Sequence, residues 1–266
     1  MKALSTIEQW PCNAAAGVIL ADGSVESHGD TGRVFELASV TKLFTAAAVH
    51  VAVEEGSVAL DDVVDARGAT LADLLGHAAG LAPDGSELEG PGRRRIYSNG
   101  GYEMAARHVE AKTEMAFPDY LREGLFQPLA MSSTELVTSP AYGARSCVRD
   151  IVSFLQGLPR LLAPSTITAM TTPYLPELVG VLPGYGRQAP NTWGLGPEIR
   201  SNKAPHWTGA SNSTQTWGHF GQAGTFVWTD PAVNLALIVL TDKPFGDWVL
   251  DRWPTLSDAV RAEATS

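Results

Sequence analysis

The chain has 266 residues, enough for one large domain or a core with an inserted subdomain, and its apolar and charged fractions are ordinary for a globular protein. A formal net charge of −10 repels phosphate backbones and anionic bilayers, so neither nucleic acid nor membrane is an expected partner. Two cysteines, Cys12 and Cys147, with no C-x-x-C and no Cys/His cluster, argue against a disulfide scaffold and a structural zinc site. They read as two free, mostly buried thiols, with a single bridge as the alternative.

The first ten residues lack the apolar core of a signal peptide, and no stretch is long enough to span a bilayer; the expected location is the cytoplasm. Residues 14–20 and 25–28, joined through Asp22-Gly23, read as a hairpin opening a sheet. A helical pattern follows over 41–55, with Leu43, Phe44, Ala47, Ala48 and Val51 on its inner side and Gly56 placed to end it. Residues 70–75 form a capped short helix. Residues 83–92 are a turn-rich loop, and 101–112 a helix. Further helices start near Phe117, ending before Pro128, and cover 149–158. Residues 183–215, rich in Gly, Pro, Asn and Ser, are long loops with short strands. Residues 217–228 and 235–241 are two adjacent strands separated by Asp230-Pro231, and 246–262 a closing helix.

Strands at both ends with helices between them indicate an α/β chain of the α+β type. An antiparallel sheet built from both termini is flanked by helices, with a mostly helical subdomain inserted. The whole of 1–266 is taken as one domain, its sheet region about 1–56 and 190–266 and its helical part about 57–189.

Three groups of residues can do chemistry. In Ser39-Val40-Thr41-Lys42 the serine precedes the long helix and the lysine follows one turn later. Side chains at this spacing share a helix face, roughly 5–6 Å apart at Cβ. A lysine amine that is neutral through burial is a competent base for a serine hydroxyl, and the helix N-terminus favours a developing oxyanion. The pair also fits a capping serine followed by a surface lysine. In Tyr97-Ser98-Asn99, on a tight loop, a phenol and an amide can relay protons and bind substrate. In His219-Phe220-Gly221 a strand histidine offers a titratable group, and the glycine lets a ligand approach the strand. Taken singly, these two groups read as a turn with a packed tyrosine and as a core histidine. No G-x-S-x-G, H-E-x-x-H or phosphate-binding glycine loop occurs, and His28, His50, His108 and His206 have no metal-like spacing. No metal or cofactor is expected.

In order and context, S-x-x-K, Y-x-N and H-x-G resemble the penicillin-recognising serine hydrolases, in particular the class C β-lactamase-like branch. Phe35-Glu36-Leu37-Ala38-Ser39-Val40-Thr41-Lys42 is similar to that family's nucleophile segment. Leu74-Leu75-Gly76-His77-Ala78-Ala79-Gly80-Leu81 is similar to its histidine loop. The resemblance implies a β-lactamase/transpeptidase-like fold. It makes Ser39 the acylated nucleophile, Lys42 the general base and Tyr97 a proton shuttle. Asn99 would hold the acyl side of the substrate. His219 stands where β-lactamases usually carry lysine, and the backbone N–H groups of Ser39 and Gln222 would form the oxyanion hole. His77 is taken as a packing residue. Phe220 replaces a threonine that often binds a substrate carboxylate, which moves the expectation from β-lactamase towards an esterase-like hydrolase of esters or small amides. The alternatives are a D-amino-acid peptidase or DD-carboxypeptidase, a weak β-lactamase, an acyltransferase, or a non-catalytic binding protein. If His219 must change charge during turnover, activity should titrate near neutrality.

Overall fold

In the computed structural model residues 1–265 are described. β1 (Ala14–Ile19) and β2 (Val25–His28) form the expected hairpin, with Gly23 at φ 83° in its turn. Short β3 (Phe35–Glu36) leads through a 3₁₀ turn, Ala38–Val40, into α1 (Thr41–Glu54), which Gly56 ends at φ 75°. α2 (Leu71–Leu75) carries a capping box. The Asp73 N–H donates to Thr70 Oγ1 at 3.2 Å, and the Thr70 N–H donates to the Asp73 carboxylate at 2.9 Å. α3 (Asn99–Thr113) begins at Asn99 rather than Gly101. Ser98 is its N-cap, accepting the Gly101 N–H at 3.0 Å, so Asn99 lies in a helical first turn and not in a loop.

α4 (Phe117–Leu121) runs on into a π-helical turn over Arg122–Phe126. β4 (Glu135–Leu136) and β5 (Ala144–Ser146) make a small sheet with β3, and α5 (Val148–Leu161) follows. α6 (Pro164–Thr171) was not anticipated. Its threonines and isoleucine are weak helix formers, and Pro164 at the first turn, together with packing of Met170, sets it. β6 (Gly180–Leu182) and β7 (Gly186–Gln188) form a two-stranded ribbon. β8 (Glu198–Ile199), β9 (Trp217–Gly221), β10 (Thr225–Asp230), β11 (Leu235–Thr241) and α7 (Asp247–Ala264) complete the chain. The stretch 217–228, expected as one strand, is therefore a hairpin. Gly224 at φ 86° donates its N–H to the Gly221 carbonyl and turns the chain back.

The main sheet is antiparallel throughout, in the order β2-β1-β11-β10-β9-β8, so strands from both ends of the chain meet at β1 and β11. Both faces are covered. Ala15, Val227, Ile238 and Leu240 face a core shared with α1 and α5, while Ala16, Phe226, Trp228, Leu237 and Val239 face Trp253, Leu256 and Val260 of α7. This two-sided burial explains why β11 is an unbroken apolar run rather than an alternating one. α1 is buried on every side from Thr41 to Ala52, not along a single stripe, and Lys42 is its only basic side chain besides His50. The alternation of β9 turns His219 towards α1 and Phe220 towards α7.

Candidate active site

Ser39 lies in the 3₁₀ turn at the head of α1. Ala38 before it has φ 45°, a conformation that costs a non-glycine residue about 1–2 kcal/mol and is held here by its surroundings. β9 and β10 supply that hold. Thr225 Oγ1 donates to the Leu37 carbonyl at 2.9 Å, and a Cβ on Gly221 would come within 2.2 Å of the same oxygen. Gly221 is thus required by the approach of the chain's own Leu37–Ala38 backbone, not by a ligand as its place in H-x-G suggested. The contact also brings Gln222 into the cavity that Ser39 lines.

Lys42 is fully buried. Its Nζ donates to Asn99 Oδ1 at 2.7 Å and to the Ala141 carbonyl at 2.8 Å, and lies 3.5 Å from Ser39 Oγ. Burial pushes the amine well below its ordinary range, and the charge of Glu103 opposes this only in part. A neutral amine has two N–H groups and one lone pair. With both N–H groups spent on carbonyl oxygens, the lone pair is left for the serine hydroxyl. Tyr97 completes the network by donating its O–H to Ser39 Oγ at 2.7 Å. Burial raises the phenol far above its ordinary range, although the bond to Ser39 opposes this, so Tyr97 is a proton donor and not a phenolate base. The order of donation Tyr97 to Ser39 to Lys42 is self-consistent.

The segment carrying Tyr97 is clamped by residues outside S-x-x-K, Y-x-N and H-x-G. The Ile96 N–H donates to the His77 carbonyl at 3.0 Å, and the Ser98 N–H donates to His77 Nδ1 at 3.1 Å. The His77 ring lies 4.6 Å from that of Tyr97. His77 adopts φ 54°, and burial holds its imidazole well below the usual range. Buried Arg95 ties the same segment to the Asn191 carbonyl at 3.1 Å and the Leu175 carbonyl at 2.9 Å. His77 is therefore a positioning residue rather than only packing. Its left-handed backbone before a glycine-rich loop leaves no readable mark in the sequence.

Ser39, Tyr97, Asn99, His219 and Gln222 line one cavity of about 100 Å³, closed by Leu182, Pro183 and Trp193. His219 is 3% exposed, and burial, reinforced by the nearby Lys42, pushes its imidazole down to about 3. The expected titration near neutrality does not belong to this residue. Phe220 borders the cavity, but its ring packs 5.3 Å from Phe245 and 5.8 Å from Tyr185, in the cluster beneath α7. Glu198, unseen in the sequence reading, lines the same cavity. It is fully buried, paired with Lys203 and with His206 Nε2 at 2.9 Å, and takes the Trp207 indole N–H. Burial alone would raise this carboxyl, but Lys203 and His206 outweigh that and hold it well below the carboxylate range. His206, whose spacing is not metal-like, is buried within this cluster. No local spacing announces this cluster, because its members meet only through the folding of the 191–208 loop.

On the far side of Gln222, an open groove of about 400 Å³ runs past Ala38, Tyr142, Arg145 and Pro244. Both cysteines are free; Cys147 is buried, whereas Cys12 is only partly so. Among the described residues no three His, Cys, Asp or Glu side chains are grouped to hold a metal ion, and no helix is long and apolar enough to cross a membrane.

Comparison with known proteins agrees with this geometry. The chain superposes on a β-lactamase from Mycobacterium bovis with TM-score 0.96 and 49% identity, covering 99% of this chain and 100% of the other. A D-amino acid amidase from Ochrobactrum anthropi SV3 shares the fold at TM-score 0.80 and 20% identity, over 98% and 97% of the two chains. Penicillin-binding protein 4* of Bacillus subtilis (strain 168) is 28% identical over 141 residues, 40% of this chain and 31% of that protein. The match therefore spans less than a third of that relative's length. The sequence profile of the Beta-lactamase family matches residues 13–260, and the chain belongs to this family of serine hydrolases.

Proposed function

We propose that the protein hydrolyses esters and small amides through an acyl-enzyme on Ser39. The carrying observation is the directed network: a protonated Tyr97 2.7 Å from Ser39 Oγ, and beyond it a buried amine whose free lone pair faces the same oxygen. In the first half-reaction the Ser39 proton passes to Lys42 as Oγ bonds to the substrate carbonyl carbon. The oxyanion is received by the Ser39 and Gln222 backbone N–H groups. The bond to the leaving group then breaks, and that group takes the Tyr97 proton, which Lys42 restores. In the second half-reaction a water gives a proton to the Lys42–Tyr97 pair as its oxygen bonds to the acyl carbon. That proton passes to Ser39 Oγ as the acyl–Oγ bond breaks, releasing the acid and restoring the free serine.

The cavity beside His219 accommodates a small group, and the open groove past Tyr142 a larger one. A D-amino-acid amidase or peptidase is the second reading. An amine cannot leave without a proton, whereas an activated phenolate can, and Tyr97 holds one in place. A fluorophosphonate probe followed by intact-mass measurement tests the nucleophile. One adduct on the wild type and none on Ser39→Ala is expected; no adduct, or an equal one on Ser39→Ala, overturns the proposal. Turnover of p-nitrophenyl esters, D-amino-acid amides and nitrocefin then ranks the substrate classes.

A further inference from the structure

His219 Nδ1 lies 2.7 Å from the Phe220 carbonyl oxygen. A carbonyl only accepts, so Nδ1 carries the ring's proton and Nε2 presents a bare lone pair. Nε2 is buried and has no partner in the protein, while the rings of Trp193 and Tyr97 flank the imidazole at 5.4 and 6.0 Å. Among the described residues, the one charged group lining this cavity besides the neutral histidine is Glu198, an anion.

Among the described residues, no cation lines the cavity to balance an incoming negative charge. Lys203 is committed to Glu198 and to the Thr192 carbonyl at 2.8 Å, and does not line the cavity. Lys42 has spent its N–H groups on Asn99 and Ala141. The His219 side of the site therefore offers an acceptor and a buried negative charge. An unpaired buried acceptor is satisfied by a ligand N–H or O–H, whereas a carboxylate brings only further lone pairs to that nitrogen and a charge that no cation lining the cavity balances.

Resting on the acyl-enzyme reading above, we propose that the cavity beside His219 selects substrates that place an uncharged hydrogen-bond donor there, such as a carboxamide, and rejects the corresponding carboxylate. The acceptor nitrogen of His219 is the specificity-determining atom.

Two matched ester series test this, one varying each side of the scissile bond. The first compares 3-carbamoylphenyl with 3-carboxyphenyl acetate. The second compares the p-nitrophenyl monoesters of adipamic and adipic acid. In at least one series the carboxamide is expected to exceed the carboxylate by about tenfold in kcat/KM, the scale of one unpaired buried polar group. His219→Lys, which puts a donor cation in place of the acceptor, is expected to reverse that ratio, and His219→Gln to flatten it. Equal rates in both series, or faster carboxylates, overturn the proposal, and the wild-type ratio decides the matter even if neither variant folds. Fluorophosphonate labelling separates the two levels. Labelling of Ser39 without discrimination between the esters defeats only the specificity proposal, whereas absent labelling defeats the acyl-enzyme reading beneath it.

Discussion

Two lysines are buried to nearly the same extent, Lys42 at 0% and Lys203 at 4% exposure, yet their surroundings make them different chemical species. Lys42 meets carbonyl oxygens and the faces of Tyr97 and Tyr102, with no carboxylate in contact. Burial accordingly drives it well below its ordinary range. Lys203 meets the Glu198 carboxylate. Burial lowers it too, but the charge and hydrogen bond of Glu198 oppose the shift. Burial sets the direction for both, and a partner carboxylate decides whether the charge survives. One lysine is thereby pushed towards the neutral amine, and the other becomes half of an internal ion pair behind the cavity wall.

The comparison breaks most sharply by removing each amine in turn. Lys42→Met is expected to lower kcat/KM for an ester about a thousandfold, the scale of a lost general base, with a smaller loss of melting temperature than the Lys203 variant shows. Steady-state kinetics and a thermal melt on the same preparation check both halves. Lys203→Met is expected to have the converse profile. It strands Glu198 as an unpaired buried charge and destabilises the fold by about 3–5 kcal/mol in a denaturant titration. Glu198→Gln in the same chain should recover part of that loss. If Lys203→Met leaves stability unchanged while Lys42→Met unfolds the protein, the assigned roles are reversed.

His77 sharpens the comparison from a third position, as a buried base that stays neutral and acts only through Tyr97. His77→Ala is expected to lower kcat about tenfold with little change in KM, because it loosens the segment that aims the phenol. His77→Asn, which can present an acceptor to the Ser98 N–H, should restore part of the rate. A purely structural role would lower the melting temperature of both variants equally and give no such rescue.

The pH dependence carries the smallest signal. Acylation needs neutral Lys42, so the rate should fall as pH drops through the amine's depressed value and level off above it. His219, at about 3, should add no inflection near neutrality. The sign for stability follows from the same shifts. Between about 3 and the ordinary histidine value of 6.5 the unfolded chain binds the His219 proton and the folded chain does not, so stability rises with pH across that window. It rises again between the lowered Lys42 value and 10.5. Urea titrations at a series of pH values measure both slopes, and a flat or falling stability between pH 4 and 6.5 would contradict the buried neutral imidazole.

Much of the architecture was legible from local pattern. Asp22-Gly23 marked the first hairpin, Thr70 and Asp73 the cap of α2, and Gly56 the end of α1, because turn and capping chemistry act over a few residues. Ser39 and Lys42 were legible for the same reason: three residues on one helix face are neighbours in any fold that keeps the helix. Where long-range packing decides, the pattern misled. The run 217–228 looked like one strand, since every residue in it suits a buried sheet apart from its glycines and Gln222. Gly221 looked like room for a ligand, but the room is taken by Leu37 and Ala38, remote in sequence.

By itself, then, the amino-acid sequence set Ser39 and Lys42 on one helix face, the order of the three motifs and the presence of strands at both ends of the chain. All of these are written in spacings of a few residues or in strong apolar runs. Only the tertiary structure decided that burial pushes the Lys42 amine well down, that the Tyr97 O–H donates to Ser39, and that His219 is an acceptor out of reach of neutral pH. It alone set Glu198, Lys203 and His206 behind the cavity. Protonation and tautomer depend on desolvation and on partners brought from distant segments, and no local spacing encodes either.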